Sequence, residues 1–224
     1  IPPDKKVLFF GNSHVKQVGK AIACQQMEAG QLESFNLLRT LGGAQLQFTN
    51  NVTVVMLFNS FVPYSRNWLA LLESELEMKL DAFDAVMYGF MNHCDGDNTF
   101  GRTMQKISNE RDDVDCLKIE PPNLLEFADV YEKPIVFVPM LDMSRTSETI
   151  WLTGQIPSLV RDNVMMLNVR QYQRRFGKEC FSPVRLEVSD CAEDKDHASH
   201  ACNGHLGGFA DLLAWDAIDF FHRN

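Results

Sequence analysis

The sequence predicts an α/β fold, a three-layer sandwich with a mainly parallel central sheet, in a single domain that spans residues 1–224. Three observations predict it. Short and almost continuously apolar runs recur along the chain, segments with helical spacing separate them, and a hydrophobic fraction of 45% over 224 residues suits one large core. Strands that are apolar on both sides indicate a sheet that is covered on both faces.

The first predicted unit is a strand, a tight turn and a helix. Residues 5–10 form a run of strand formers that ends at Gly11–His14 (Gly-Asn-Ser-His), a sequence typical of a turn. After the turn, Val15, Val18 and Ile22 recur at helical spacing. Many open parallel sheets begin in this way.

The alternation continues downstream. Buried strands are predicted at residues 52–58, 85–90 and 134–139. A helix is predicted over 68–80, and apolar residues on one face of 209–221 predict a closing amphipathic helix. Residues 99–122 are polar and irregular, and we interpret them as a solvated surface insertion.

Charge and hydropathy exclude several classes of partner. The formal net charge of -9 would repel a polyanion, so nucleic acid is not an expected partner. No apolar stretch reaches the roughly 20 residues of a membrane-spanning helix, and the first residues do not follow the pattern of a signal peptide. Because the chain begins at Ile1 without a methionine, a targeting segment could be missing, and the compartment stays open.

The cysteines leave the redox environment open. There are six, with no Cys-x-x-Cys pair, which disfavours a zinc knuckle. Three of them, Cys180, Cys191 and Cys202, lie in one short stretch, where a disulfide could brace irregular backbone. Reduced cysteines in the core fit the sequence comparably well. Asn51-Val52-Thr53 is a glycosylation sequon, a triplet that also occurs often by chance. A disulfide and a used sequon would both fit a secretory compartment.

Three positions follow predicted strands or turns, where ligands gather in an open parallel sheet. Ser13 follows the first strand at the mouth of a helix, which favours developing negative charge. The pair Gly42-Gly43 would let a substrate approach backbone amides closely. Asn92 follows the strand at 85–90 and could point a donor at an oxyanion. Taken singly, each has a more ordinary interpretation: a helix N-cap, a turn and a loop asparagine.

A histidine-rich segment at residues 194–205 lies just before the last predicted helix and offers the serine a base. It contains Asp194, Asp196, His197 and His200, and a carboxylate beside an imidazole orients the ring and stabilises its charged form. The same kinds of side chain could bind a metal. For the segment alone, a solvated polar loop is the ordinary interpretation.

The order of these pieces resembles the four blocks of the SGNH (GDSL-type) hydrolase superfamily along nearly the whole chain. The blocks are Gly11-Asn12-Ser13-His14, the pair Gly42-Gly43, Gly89-Phe90-Met91-Asn92 and the histidine-rich segment at 194–205. The resemblance implies a flavodoxin-like sheet and Ser13 as the nucleophile that attacks an ester carbonyl. It also implies an oxyanion hole formed by the Ser13 amide, the Gly43 or Gly42 amide and the Asn92 side chain. The family usually has Gly-Asp-Ser in its first block, whereas this chain has Gly-Asn-Ser with the serine in place.

The last block matches the family in two registers. The family places an aspartate three residues before its catalytic histidine, and within residues 194–205 only Asp194 and His197 have that spacing. His200-Ala201-Cys202 instead resembles the His-x-Cys stretch of the PC-esterase and polysaccharide O-acetyltransferase branch, and in that register His197 holds the aspartate position. We favour His200 as the base with Asp196 or Asp194 as its carboxylate, and His197 is the alternative.

The expected function is serine-dependent acyl-ester chemistry on an acylated carbohydrate, by an esterase or an O-acyltransferase, with no cofactor and no metal. A catalytically inactive binding protein with the same fold is the alternative, since the Asp-His spacing is irregular. A flavodoxin-like nucleotide binder ranks last, because the chain lacks Gly-x-Gly-x-x-Gly and a P-loop lysine.

Overall fold

A computed structural model gives a seven-stranded sheet with strand order β2-β3-β4-β1-β5-β6-β7. The structure describes residues 1–11, 15, 18–19, 21–22, 25–26, 30–38, 43–57, 73–74, 77–89, 125–138, 161–167 and 209–224. The strands are β1 (Lys6–Gly11), β2 (Leu32–Leu38), β3 (Gly43–Phe48), β4 (Thr53–Leu57), β5 (Ala85–Gly89), β6 (Ile135–Val138) and β7 (Val164–Met166). A 3-10 helix spans Leu80–Ala82 and the C-terminal helix spans Phe209–Arg223.

The sheet is mixed and mostly parallel, as the sequence predicts. β1 pairs in parallel with β4 on one side and with β5 on the other, and β6 and β7 continue the parallel arrangement. β3 runs antiparallel to both of its neighbours, β2 and β4. An antiparallel hairpin extension therefore joins a parallel block of five strands, and β1 lies at the centre of the seven-stranded sheet as a whole.

Four strands of the parallel block, β1, β4, β5 and β6, are buried on both faces of the sheet, to which their successive side chains point in turn. On β1, Val7 and Phe9 belong to one apolar cluster, and Leu8 and Phe10 belong to the other. All four are at most 1% exposed. This burial explains why the sequence shows continuous apolar runs rather than alternation at β1, β4, β5 and β6.

Helical residues contribute to both clusters. The cluster of Phe9 includes Val18 and Ile22 from the segment after β1, and Leu213 and Ala217 from the C-terminal helix. The cluster of Phe10 includes Phe127 and Ala128, from helical residues 125–130. The predicted helix after β1 and the predicted C-terminal helix are thus confirmed.

The structure has three strands that the sequence did not predict, and one predicted helix ends earlier than predicted. The sequence did not predict β2, β3 or β7, whereas the four strands that it did predict are present within about one residue at each end. The helix predicted over 68–80 is confirmed at residues 73–74, but its predicted end is wrong: Glu77 has a φ of 49°, residues 77–79 are not helical and Leu80 begins the 3-10 helix. The predicted insertion at 99–122 lies outside the described residues. None of the helices described here is both long enough and apolar enough to cross a membrane.

A network of side-chain donors binds backbone carbonyls at the edge where the parallel strands begin. The Tyr131 hydroxyl donates to the Phe83 carbonyl at 2.8 Å, and Lys133 Nζ donates to the same oxygen at 2.9 Å. Asn163 Nδ2 donates to the carbonyl of Glu132 at 3.1 Å. These bonds connect the segments that lead into β5, β6 and β7.

Replacing Tyr131 with phenylalanine tests this network through its pH dependence. Burial, and secondarily the nearby Asp84, raises the pKa of Tyr131 above its ordinary range. The folded state thus keeps its proton at a pH where the unfolded state loses it, and the stability that the tyrosine contributes falls as the pH rises above about 10. We expect Tyr131→Phe to lower the free energy of unfolding by about 1 kcal/mol at pH 7, because Lys133 still satisfies the Phe83 carbonyl.

Urea unfolding of both proteins at pH 7 and above pH 10 measures this difference. The difference in the free energy of unfolding between the wild type and Tyr131→Phe should be smaller at the higher pH. A gap that stays constant across this range would show that the hydroxyl is not held protonated by the fold.

Candidate active site

The carboxyl edge of the parallel strands brings together the described residues of three predicted sequence blocks. Gly11, the last residue of β1, pairs with Gly89, the last residue of β5. Phe10 of β1 pairs with Leu57 at the end of β4, and Leu57 also pairs with Gly43 at the start of β3. Since neighbouring strands are about 4.8 Å apart, Gly43 lies about 10 Å from β1 along this edge.

Gly11 and Gly89 approach each other too closely for a side chain at Gly11. A Cβ atom built on Gly11 would lie 2.0 Å from the Gly89 carbonyl oxygen. Gly11 also has a φ of 117°, a backbone conformation that residues with a side chain rarely adopt. The chain therefore turns away from β1 at a position that only glycine can occupy without displacing β5.

An aromatic stack lies directly before the two glycines. The rings of Phe10 and Tyr88 are stacked with their centroids 4.4 Å apart, and Phe127 meets Phe10 edge to face at 5.8 Å. Phe10, Tyr88 and Phe127 are at most 1% exposed. Their packing holds the ends of β1 and β5 in register, so the residues that follow both strands start from a rigid base.

Gly43, one of the two alternatives for the glycine donor of the predicted oxyanion hole, is part of the sheet rather than of a free turn. It pairs with Leu38 of β2 and with Leu57 of β4. A Cβ atom at this position would lie 2.1 Å from the Met56 carbonyl oxygen, so the strands also approach closely here. In an inner strand a backbone N–H points towards one neighbouring strand, which leaves it poorly placed to bind a substrate.

The other predicted site residues lie outside the described residues. These are Ser13, Gly42, Asn92, Asp194, Asp196, His197 and His200. Their geometry therefore stays a prediction. What the structure brings together is the set of strand ends from which Ser13 and Asn92 follow, two residues after Gly11 and three residues after Gly89.

The sequence did not predict the paired approach of Gly11 and Gly89 or the aromatic stack beside it. Gly11 was part of a predicted turn and Gly89 of the strand predicted at 85–90, but nothing in the local pattern indicated that the two would meet. The available signal was that both glycines end an apolar strand directly after an aromatic residue, Phe10 or Tyr88.

Two of the shifted titratable groups in the described chain, Glu73 and Lys79, form a structural contact ahead of β5. Glu73 Oε2 lies 2.8 Å from Lys79 Nζ, and Glu73 Oε1 accepts the Leu80 amide at 3.1 Å. The hydrogen bond from Lys79 lowers the pKa of Glu73, and the same bond raises the pKa of Lys79. Among the described residues, a surface cavity of about 340 Å³ beside this pair is lined by Glu73, Ser74, Glu77, Met78 and Lys79.

The described residues include no group of three or more His, Cys, Asp or Glu side chains arranged to hold a metal ion. The histidine-rich segment at 194–205 lies outside them.

Comparison with known proteins found no matching family model and no matching curated protein.

Proposed function

We propose that this chain is an SGNH-like hydrolase or O-acyltransferase that processes acyl esters of carbohydrates through a serine acyl-enzyme. The main support for the proposal is the position of three glycines that belong to three of the four sequence blocks. Gly11, Gly43 and Gly89 lie along the same edge of the sheet. In open α/β sheets, ligands bind outside the carboxyl ends of the strands. Blocks that resemble a catalytic family thus occupy the edge where such a sheet binds its ligand.

The strand order supports a flavodoxin-like, three-layer arrangement. Without the β2-β3 hairpin, the sheet order is β4-β1-β5-β6-β7, all parallel. Renumbered along the chain, this is the order 2-1-3-4-5 of flavodoxin-like sheets, whose ligand site lies beside the first strand. Apolar clusters on both faces of the sheet agree with helical layers on either side.

Chain connectivity supports the roles of Ser13 and Asn92. Two peptide units span at most about 7 Å, so Ser13 cannot be far from the end of β1, and three units bring Asn92 within about 11 Å of the end of β5. Gly11 and Gly89 are paired neighbours. A serine nucleophile and an amide donor can therefore reach one substrate carbonyl from adjacent strand ends.

In the proposed mechanism, the Ser13 hydroxyl attacks the ester carbonyl while a histidine accepts its proton. The Ser13 amide, the Asn92 side chain and a glycine amide stabilise the tetrahedral oxyanion. Pairing of Gly43 on both sides favours Gly42 as the glycine donor. The histidine then protonates the leaving alcohol, and water or a sugar hydroxyl takes the acyl group from Ser13.

Alanine at Asn92 tests the oxyanion hole. We expect Asn92→Ala to lower kcat by roughly 10²–10³ with a much smaller change in KM, because the amide bonds the charge that develops in the transition state. Steady-state kinetics on a soluble aryl ester measure both constants. An unchanged kcat would assign Asn92 a structural role.

The experiment that tests the function itself measures acetate release from acetylated saccharides by the wild type, His200→Ala and His197→Ala. If His200 is the base, His200→Ala should lose activity by about 10⁴-fold or more, while His197→Ala keeps most of it. The reverse order would select His197 with Asp194. Adding an unacetylated sugar distinguishes transfer from hydrolysis, since a transferase acetylates the added sugar instead of releasing acetate.

A binding protein without catalytic activity is the second candidate, and the irregular last block favours it. In the register of His200, the position three residues earlier is His197 rather than an aspartate. A chain that binds acetylated saccharides but releases no acetate from any of them would establish this candidate.

A further inference from the structure

The turn between β3 and β4 carries a feature that the proposed function does not use. Asn51 is exposed in this turn and has a φ of 61°. Hydrogen bonds from Phe48 N to Val52 O and from Asn51 N to Phe48 O, each 2.9 Å long, fix the turn. Its tip thus presents an asparagine side chain in a left-handed conformation that asparagine tolerates better than most residues.

We propose that Asn51 is an acceptor for an N-linked glycan. Asn51-Val52-Thr53 is the single Asn-x-Ser/Thr triplet in the 224 residues. Triplets of this kind are common, and what distinguishes a usable one is that the folded chain can carry a bulky polar group there. The contacts of Asn51 in the fold meet that requirement.

The Asn51 amide has a hydrogen left for substitution. Its Nδ2 donates to Asp4 Oδ1 at 2.9 Å, and its Oδ1 accepts from Gln47 Nε2 at 3.4 Å. A primary amide has two N–H donors, and the glycosylated amide keeps one. The bond to Asp4 and the bond from Gln47 can therefore both persist after glycosylation.

The hydroxyl of the triplet is also compatible with the modified fold. Thr53 Oγ1 donates to Gln47 Oε1 at 2.6 Å, and Thr53 is only 6% exposed. The hydroxyl is needed while the glycan is transferred to the unfolded chain. In the folded chain it donates its hydrogen bond to Gln47. In the transfer, Asn51 Nδ2 forms a bond to the first sugar of a lipid diphosphate-linked oligosaccharide. The bond from that sugar to the diphosphate breaks, and the amide gives up one proton.

The glycan would project from the end of the sheet opposite the candidate active site. Thr53 pairs with Lys6 at the start of β1, whereas Gly11 ends the same strand. Five residues of strand separate the two levels by about 16 Å. A glycan on Asn51 is therefore expected to leave substrate access unchanged.

The proposal is tested by translating the full chain in the presence of microsomes. A signal peptide fused to the chain directs it into them. The translocated wild type should gain the mass of one glycan, and peptide N-glycosidase should remove it and leave aspartate at position 51. Asn51→Gly, which keeps the backbone conformation accessible, should abolish the shift. Thr53→Ser, which keeps the hydroxyl, should retain it.

The proposal is overturned if protease-protected, translocated wild-type chain shows no glycan. It is also overturned if the shift persists in Asn51→Gly. These results do not depend on enzymatic activity, so they stand apart from the test of the proposed function.

Discussion

Replacing Ser13 with alanine is expected to lower kcat by about 10⁶-fold, because the acyl-enzyme cannot form without the nucleophile. The oxyanion donors and the substrate contacts would remain, so a residual rate above that in water is expected. Folding should be nearly unchanged. If the hydroxyl also caps the following helix, its loss costs about 1 kcal/mol, which is small beside the catalytic effect.

Initial rates on an aryl ester and thermal unfolding measure the two effects of Ser13→Ala separately. Ser34→Ala is a matched control, since Ser34 is an exposed serine on β2 and should affect neither quantity. Turnover by Ser13→Ala at the wild-type rate would end the proposal of a serine acyl-enzyme. A simultaneous collapse of the fold would require the milder Ser13→Gly or Ser13→Cys for the same comparison.

Alanine at Gly11 is expected to destabilise the fold by about 3–5 kcal/mol, the largest structural effect we predict. Two causes add. A side chain at a φ of 117° is strained by about 1–2 kcal/mol, and its Cβ would lie 2.0 Å from the Gly89 carbonyl oxygen, so β1 and β5 must separate at their ends. The separation would also displace the residues that follow each strand, and activity should fall with stability.

Gly30→Ala is the matched control for Gly11→Ala. Gly30 also has a positive φ, 69°, but a Cβ there would meet no atom within 4 Å. Its replacement should cost only the backbone strain, about 1–2 kcal/mol. Urea unfolding measures the free energy of unfolding of both variants. Equal losses of stability in Gly11→Ala and Gly30→Ala would show that the contact between Gly11 and Gly89 does not constrain the ends of β1 and β5.

The sequence predicts the parallel centre of the fold well because burial on both faces leaves a continuous apolar run. β1 and β4 are of this kind, with nearly every residue inside the core. β2 and β3 did not stand out, because Glu33, Ser34 and Asn36 of β2 are exposed and Gln45 and Gln47 interrupt β3. β7 is three residues long and half-buried, too short for a periodic pattern.

The site could be predicted only as a set of separate motifs. The turn after β1 and the asparagine after β5 are local patterns, but the contact of Gly11 with Gly89 depends on which strands become neighbours. Local sequence does not encode strand order. The choice between His197 and His200 stayed open for a related reason, since two registers of the last block satisfy different features of the family.

Labelling with a fluorophosphonate probe, followed by mapping of the modified peptide, tests most directly whether an activated serine stands at the end of β1. We expect one modified residue, Ser13, with labelling abolished in Ser13→Ala and slowed in the variant of the catalytic histidine. Modification of another serine, or no modification of the folded chain, would contradict this expectation.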